Sequence, residues 1–432
     1  MITDEKYGLV FGGGGAKGAY EIGVWKALNE LEIDVKVVVG TSVGALNGAI
    51  MVQGDFDVAL SMWTDMTMRK VIDMGQEENF SEEKNLSVAS IISIIKNSIL
   101  SGGMDVTPLK ELLYKVIDEK KIRASKINFG IVTFSLTDFS PVNIFIKDIP
   151  EGKLIDYLLA SSCFPTFKPQ MIDNKRYIDG GIYNNIPVSL ISSKIKNIIV
   201  VDVSGVGRTK KVDTSNNEII YIKNSQYLGR TLQFEPETVK SSMNFGYFDT
   251  LRAFSKTKGK RYYIQNSEIC NKSGNIYIDH ITEKEIGKMY EFYGANSKSV
   301  NPGIIKAIKF RLLRNIRKYA DCELNKHNVF IAMLEICSEC MGIERGKLYS
   351  IEELIDEIMK EYENYNNIKL ETNIIKTANK LLNINKELVF FNPDLKDISI
   401  PTINKRNIIA ISEPKYSIAN LFMALLLFRR EQ

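Results

Sequence analysis

The chain has 432 residues, enough for about two or three domains of ordinary size and for a sizeable hydrophobic core. Hydrophobic residues make up 44% and charged residues 25%, which argues against wholesale disorder. The net charge of +4 is too small to indicate a nucleic-acid partner. The sequence holds two histidines, His280 and His327, so a histidine-ligated metal centre has few ligands available and any Ser-His-Asp mechanism must use one of them.

The first half of the sequence alternates strand and helix patterns. Mostly apolar, β-branched runs predict strands at Gly8–Phe11, Val35–Val39, Ile127–Phe134, Val142–Ile146 and Ile198–Val203. Helical spacing predicts helices at Ala19–Leu31 and Val43–Val52, and an apolar helix around Val88–Leu100 that covers the core or borders a pocket. Continuous β-branched runs separated by helices indicate an α/β fold with a mostly parallel sheet covered on both faces.

From about Ile286 onward, helical patterns replace the strand patterns. Amphipathic helices are predicted at Gly303–Tyr319, Val329–Met341, Ser350–Tyr362 and Ile374–Leu382. Loop-forming residues cluster near 285–300. We therefore expect one domain over residues 1–285 and a helical C-terminal domain over residues 286–432.

The five cysteines are dispersed, which favours a reducing compartment over a disulfide framework. Cys337 and Cys340 form a C-x-x-C, and with Cys322 and His327 they could supply four zinc ligands. Their segment has the apolar spacing of a continuous helix, however, and a second C-x-x-C is missing. We therefore expect buried thiols, no metal and no cofactor.

The sequence predicts no targeting or membrane-spanning segment. The N-terminal residues carry acids and run directly into a short strand, unlike a signal peptide. The longest apolar run near the C-terminus, Leu421–Phe428, is far shorter than the roughly 18 residues that a transmembrane helix needs. We expect a cytoplasmic protein, with peripheral contact to a membrane as an option.

Three short segments carry the residues suited to chemistry. A glycine-rich loop, Gly12–Gly18, lies between a strand and a helix, where backbone N–H groups can approach negative charge. Gly40-Thr41-Ser42-Val43-Gly44 has the G-x-S-x-G pattern of a nucleophile elbow, in which a sharp turn exposes the serine. In Asp179-Gly180-Gly181, two glycines leave the aspartate carboxylate sterically accessible.

The glycine-rich loop also satisfies the dinucleotide fingerprint G-x-G-x-x-G. A Rossmann fold would then require an acid at the end of the second strand, but Val35–Val39 ends in Gly-Thr-Ser-Val-Gly, and Asp34 lies at the wrong end. A P-loop is disfavoured because Ala19 follows Gly18 where lysine is required.

Taken together and in this order, the three segments resemble the patatin-like phospholipase family. The matching motifs are Gly13-Gly14-Gly15-Ala16-Lys17-Gly18, Gly40-Thr41-Ser42-Val43-Gly44 and Asp179-Gly180-Gly181, supported by Met104–Leu109 and Ala160–Pro165. The resemblance covers roughly residues 5–280. It implies a three-layer α/β/α domain with a mostly parallel central sheet, followed here by the helical C-terminal domain.

The same resemblance implies hydrolysis of an acyl ester of a phospholipid or related lipid by a Ser-Asp dyad. Ser42 is then the nucleophile, Asp179 the base, and the backbone N–H groups of Gly13, Gly14 and Gly15 the oxyanion hole. Lys17 stands where relatives often carry arginine, and either orients the loop, attracts a phosphate head group or is simply solvated. The flanking motif residues are Gly18, Gly40, Gly44, Gly180 and Gly181.

Two alternatives remain open. The order Ser42, Asp179, His280 also matches a Ser-His-Asp esterase acting on small esters, although nothing local marks His280 as catalytic. A catalytically silent lipid-binding or regulatory module is the other.

Two C-terminal segments could contact a membrane. Residues 303–319 form a basic amphipathic pattern without an acid between Asn301 and Ala320, and residues 418–430 form an apolar run that ends in two arginines. Packing against the core, with a solvated basic face, is the alternative for both. A regulatory ligand or protein at the C-terminal domain is a further expectation, by analogy alone.

Overall fold

A computed structural model of the chain describes residues 5–73, 102–266, 280–320, 323–371 and 388–431. The chain divides into two compact units, Met1–Phe254 and Ser255–Gln432. The helices predicted at Val88–Leu100 and Ile374–Leu382 lie outside the described residues.

The first unit contains a mixed α/β arrangement. Its strands are β1 Tyr7–Phe11, β2 Val35–Thr41, β3 Asn128–Ser135, β4 Ser140–Phe145, β5 Gln170–Ile172, β6 Lys175–Asp179, β7 Asn197–Asp202 and β8 Glu218–Lys223. Its α-helices are α1 Ala19–Glu30, α2 Val43–Gln53, α3 Phe56–Thr64, α4 Thr107–Val116, α5 Glu119–Ala124, α6 Leu154–Ser161, α7 Gly181–Asn184 and α8 Pro236–Ala253. Short 3-10 turns span Gly15–Gly18, Met68–Lys70, Ile146–Asp148 and Val188–Leu190.

The strands form one eight-stranded sheet in the order β5-β6-β3-β2-β1-β7-β8, with β4 also paired to β3. The pairs β1–β2, β1–β7, β2–β3 and β7–β8 are parallel. The pairs β3–β4, β3–β6 and β5–β6 are antiparallel. The predicted strand at Val142–Ile146 is therefore the second arm of a hairpin. Because β1, β2 and β7 run parallel, the loops that follow them lie at one edge of the sheet.

Both faces of the sheet centre are buried. Leu9 and Phe11 of β1 belong to a large apolar cluster that includes α1 and α2, whereas Val10 belongs to a second cluster with Ile186 and Leu190. This alternation is the period-2 pattern of a strand covered on both sides, and it explains the continuous apolar runs in the sequence.

Close packing of α1 against α8 holds the helix that follows the glycine-rich loop. A Cβ atom added to Gly23 would lie 1.8 Å from the carbonyl oxygen of Met243, and one added to Gly246 would lie 1.9 Å from that of Tyr20. Neither position can accept a side chain without separating the two helices.

The second unit is mostly helical. Its helices are α9 Glu283–Phe292, α10 Pro302–Tyr319, α11 Lys326–Met341, α12 Ile351–Glu371, α13 Ile400–Ser412 and α14 Pro414–Arg430. Three short strands, β9 Thr257–Lys258, β10 Tyr263–Gln265 and β11 Leu348–Tyr349, form a small sheet. Tyr262 and Ile264 belong to the apolar core of this unit, so its first residues precede the boundary near 285 that we expected. Within the described parts of the chain, no helix is long and apolar enough to cross a membrane.

Candidate active site

Ser42 occupies a strained turn between β2 and α2. Its backbone dihedrals are φ 56° and ψ −129°, a conformation that residues with a Cβ rarely adopt. The turn is tight because a Cβ on Gly40 would lie 2.3 Å from the carbonyl oxygen of Gly44, and one on Gly44 would lie 2.6 Å from that of Phe11. The main-chain N–H of Ser42 donates to Ser161 Oγ at 3.0 Å. The sequence motif therefore folds as a strand–turn–helix elbow that presents Ser42 at the start of α2.

Strand β3 brings Asp179 next to the elbow. Thr41 pairs with Val132 of β3, and the following residue, Thr133, pairs with Asp179 at the end of β6. The Ser42 hydroxyl is close enough to the Asp179 carboxylate to lower its pKa. The two residues are far apart in sequence, and the sheet order places them side by side.

The Asp179 carboxylate is buried, with 5% of the residue exposed. Burial raises its pKa to about 6, although hydrogen bonds from the Ser42 hydroxyl and the Gly181 N–H oppose the shift. The Gly181 N–H lies 2.7 Å from Asp179 Oδ1. A carboxylate with this pKa is a stronger base than an exposed one, and it is still ionised at neutral pH.

The glycine-rich loop lies directly beside Ser42. A Cβ on Gly13 would lie 3.0 Å from Ser42 Cβ. The Gly13 N–H donates to the carbonyl oxygen of Asn185 at 3.2 Å, and Asn185 Nδ2 donates back to the Gly13 carbonyl oxygen at 3.0 Å. Among the described residues, the N–H groups of Gly14 and Gly15 have no protein acceptor. Gly15 has φ +60°, and a Cβ there would lie 2.3 Å from the carbonyl oxygen of Thr231.

Lys17 is half-buried, and its ammonium group contacts the backbone. Its Nζ donates to the carbonyl oxygen of Ser204 at 2.8 Å. Burial lowers the pKa of Lys17, and the charge of Asp202 opposes the shift. Of the three sequence interpretations, this contact agrees with orientation of the glycine-rich loop.

An apolar cavity of about 200 Å³ opens at these residues. Gly13, Gly14, Gly15, Ser42 and Asp179 are among the residues that line it. Among the described residues that line the cavity, Asp179 is the one with a charged side chain. The remaining wall is largely aliphatic and aromatic, with Leu46, Met62, Trp63, Met66, Val71, Leu109, Leu112, Leu113, Phe164, Phe167, Leu232 and Phe234. Such a wall suits a hydrocarbon chain.

A buried polar chain connects the helices around the cavity. Asn47 of α2 lines the cavity and donates through Nδ2 to Glu21 Oε2 at 2.7 Å and to the Gly18 carbonyl oxygen at 2.9 Å. Trp63 Nε1 donates to Asn47 Oδ1 at 2.9 Å. Burial raises the pKa of Glu21 well above its usual range, and the hydrogen bond from Asn47 opposes the shift. This chain holds α1, α2 and α3 together behind Ser42.

Sequence reasoning missed the residues that support the motifs. Ser161, which accepts the Ser42 N–H, donates to the Val132 carbonyl oxygen at 2.7 Å. Asn185 links the Asp179 segment to the glycine-rich loop. Ser161 lies within the Ala160–Pro165 motif, and Asn185 lies shortly after the Asp179-Gly180-Gly181 motif. A single sequence does not distinguish a serine or asparagine that supports a site from one on the surface.

Two other candidates lie in the second unit. His280 is exposed, and its main-chain carbonyl oxygen accepts a hydrogen bond from Arg429 at 2.7 Å. The first unit has no histidine in its sequence. Cys337 is buried and Cys340 half-buried in α11, and burial raises the pKa of both thiols. No group of three or more metal-ligating side chains occurs among the residues that the structure describes.

Comparison with known proteins shows what the first unit is similar to. Residues 9–191 match the family model described as patatin-like phospholipase. This part of the chain is therefore similar to patatin-like phospholipases. Patatin-like phospholipase domain-containing protein ZK370.4 of Caenorhabditis elegans is 27% identical over 224 residues, which are 49% of this chain and 15% of that protein. Patatin-like phospholipase domain-containing protein 6 of Mus musculus is 26% identical over 48% of this chain and 14% of its own length.

The chain thus spans a small fraction of the length of these relatives. Among solved structures, the crystal structure of VipD from Legionella pneumophila aligns with 98% of this chain and 92% of that chain, at 13% identity and a TM-score of 0.37.

Proposed function

We propose that this protein is a lipid acyl hydrolase that cleaves acyl esters of phospholipids, with Ser42 as nucleophile and Asp179 as base. The observation that carries the proposal is the proximity of the Ser42 hydroxyl to a buried carboxylate, both in the lining of one apolar cavity. The strained elbow and the patatin-like phospholipase match of residues 9–191 support it.

In the proposed mechanism, Asp179 accepts the Ser42 proton as Oγ attacks the ester carbonyl carbon. The tetrahedral intermediate collapses when the protonated Asp179 gives its proton to the departing alcohol, here the lysophospholipid. Asp179 then accepts a proton from water, which attacks the acyl-enzyme, and the proton returns to Ser42 as the fatty acid leaves. Each proton taken from a nucleophile is delivered to a leaving group, so no further base is needed.

The oxyanion hole is proposed to consist of the N–H groups of Gly14 and Gly15. Gly13 was expected to contribute as well, but its N–H already donates to Asn185. The two remaining donors belong to residues that line the same cavity as Ser42. Removing one donor of this kind typically costs about 10²–10³ in rate.

The three-layer α/β/α arrangement also belongs to this proposal. It is supported by the two apolar clusters on opposite faces of the sheet, one with α1 and α2 and the other with Ile186 and Leu190.

Peripheral membrane contact is proposed through α10 alone. The apolar face expected to meet a membrane is buried, because Ile308, Leu312 and Ile316 belong to the core of the second unit. What α10 exposes is its basic residues together with Phe310, which is 67% exposed. The 418–430 segment is unsuited to membrane contact because residues 418–426 are buried in the same core.

A fluorogenic acyl-ester assay with wild-type, Ser42→Ala and Asp179→Ala proteins tests the proposal. Turnover by the wild type and its loss in both variants are expected. A silent binding module shows no turnover in any form. A Ser-His-Asp esterase loses as much activity in His280→Ala as in Ser42→Ala.

A further inference from the structure

Two loops without acidic residues border the open side of the cavity. The first rim loop is residues 203–211, and the second is residues 227–234. Val206 and Gly207 of the first loop and Thr231, Leu232 and Phe234 of the second line the cavity. Val206 is 73% exposed although it lines the cavity, so the first rim loop lies where the cavity meets solvent.

The first rim loop is fixed to both catalytic segments. A Cβ on Gly205 would lie 1.8 Å from the Gly13 carbonyl oxygen, so this loop touches the glycine-rich loop. The Arg208 N–H donates to the Gly181 carbonyl oxygen at 2.9 Å, and the Arg208 carbonyl oxygen accepts the Asn185 N–H at 2.6 Å. The backbone of Arg208 is therefore held against the segment that carries Asp179.

The second rim loop is fixed on the other side of the glycine-rich loop. The carbonyl oxygen of Thr231 accepts the Ala16 N–H at 2.8 Å and leaves no room for a Cβ on Gly15. Arg230 directly precedes Thr231 and is exposed. Arg208 and Arg230 are thus each adjacent in sequence to a residue that lines the cavity, Gly207 and Thr231 respectively.

The positive charges of the rim lack acidic partners. Arg208, Lys210, Lys211 and Arg230 are exposed, and none of them forms an ion pair with the residues that the structure describes. The acids that flank the two loops in sequence are Asp202, Asp213 and Glu235. Asp202 is engaged by the Ser204 N–H, the Tyr221 hydroxyl and Lys223, Asp213 accepts the Ser215 N–H, and Glu235 accepts a hydrogen bond from Gln233 Nε2. Lys210 Nζ lies 3.5 Å from the centre of the Tyr183 ring, on the helix that follows Asp179.

We propose that Arg208 and Arg230 bind the phosphate of an anionic phospholipid head group while the acyl chain fills the apolar cavity. The inference rests on the proposed function and specifies its substrate class. Guanidinium groups bind phosphate oxygens in bidentate geometry, and the positive charges of the two rim loops, neither of which contains an acid, repel the cation of a zwitterionic head group. The enzyme therefore prefers phospholipids with a net negative head group over phosphatidylcholine.

The test uses lipids in monomeric form, so that general attraction to a charged membrane does not contribute. Dihexanoyl phosphatidylglycerol and dihexanoyl phosphatidylcholine are compared below their critical micelle concentrations for the wild type, Arg208→Gln, Arg230→Gln and the double variant. Lys126→Gln removes one charge just before β3, at the opposite end of the sheet, and is the control. A neutral p-nitrophenyl ester reports on catalysis without a head group.

We expect each arginine variant to lower the ratio of the two kcat/KM values by about two- to fivefold, as for solvent-exposed charge pairs. The double variant should approach a ratio of one, with turnover of the neutral ester and the Lys126→Gln ratio unchanged. An equal ratio in wild type and double variant would overturn the inference.

A binding measurement separates this inference from the proposed function. Calorimetric titration of Ser42→Ala with dihexanoyl phosphatidylglycerol should show binding that Arg208→Gln and Arg230→Gln, introduced into that background, weaken. Binding of this kind without wild-type hydrolysis would refute the proposed function and support the head-group site. Hydrolysis by the wild type, combined with lipid binding that neither arginine variant weakens, would support the proposed function and refute the head-group site.

Discussion

The buried carboxylate of Asp179 should destabilise the folded protein at neutral pH. Replacing it with asparagine removes the charge but keeps the shape of the side chain. The Oδ1 atom of asparagine can still accept the Gly181 N–H, and its amide can donate to Ser42 Oγ, so both local contacts survive with one direction reversed. Asp179→Asn should therefore abolish activity and raise stability.

The magnitude follows from the pKa of Asp179, which burial raises from 3.8 to about 6. Since the folded-state pKa lies above the unfolded-state value, the stability contributed by this group is present below the unfolded pKa and is lost as pH rises through about 6. A rise in pKa from 3.8 to about 6 lowers the free energy of unfolding by about 3 kcal/mol at pH 7.5 and by less than about 1 kcal/mol at pH 4. The neutral asparagine does not titrate, so the variant should be more stable by up to these amounts.

Thermal unfolding of wild-type and Asp179→Asn proteins at pH 7.5 and pH 4 measures this difference. In a unit of this size, 1 kcal/mol shifts Tm by about 2–4 °C, so we expect a rise of roughly 5–10 °C at pH 7.5 that shrinks at pH 4. A variant that unfolds at or below the wild-type Tm at pH 7.5 would refute the reasoning.

Asp105→Asn is a control with the opposite expected sign. Hydrogen bonds from Thr107 and Lys168 lower the pKa of Asp105 to about 2, so its charge stabilises the folded state at neutral pH. This stability is present above the unfolded-state pKa and is lost as pH falls toward 2. The same substitution should therefore lower Tm at pH 7.5. A rise in both variants would mean that asparagine stabilises the protein for reasons unrelated to charge.

Three further predictions concern catalysis. Because the proposed base must be ionised, kcat/KM should rise with pH, with an apparent pKa of about 6, that of Asp179. A flat profile between pH 5 and 8 would contradict the role of Asp179 as base. Asn185→Ala removes a hydrogen bond that orients the glycine-rich loop, so kcat should fall about 10-fold or more with little change in KM. The control, Asn217→Ala, loses similar bonds to the Ser192 and Ile195 carbonyl oxygens away from the cavity and should keep the wild-type kcat. His280→Ala should retain most activity, and a loss as deep as that of Ser42→Ala, measured with the same ester, would favour the Ser-His-Asp mechanism.

Much of the first unit was predictable because its strands are covered on both faces. Continuous apolar runs predicted β1, β2, β3 and β7 to within a few residues. The proximity of Ser42 and Asp179 followed from the family motifs rather than from any local pattern, since it depends on β3 lying between their two strands. The short strands β9 and β10 gave no periodic signal, which is why the expected boundary fell later than the observed division.

The supporting contacts of the site were not predictable. The bond between Asn185 and Gly13 joins residues far apart in sequence, and no pattern marks it. Amphipathic spacing correctly predicted α10 but did not say what its apolar face contacts, because a core and a membrane select the same pattern. The structure buries that face in the second unit.

The central claim, that Ser42 and Asp179 together hydrolyse acyl esters, is tested most directly by intact-protein and peptide mass spectrometry after brief exposure to a slowly hydrolysed acyl ester. We expect a single acyl adduct on the peptide that contains Ser42, formed by wild-type and His280→Ala proteins, absent from Ser42→Ala and formed much more slowly in Asp179→Asn. An adduct on any other residue, or wild-type turnover by Ser42→Ala, would contradict it.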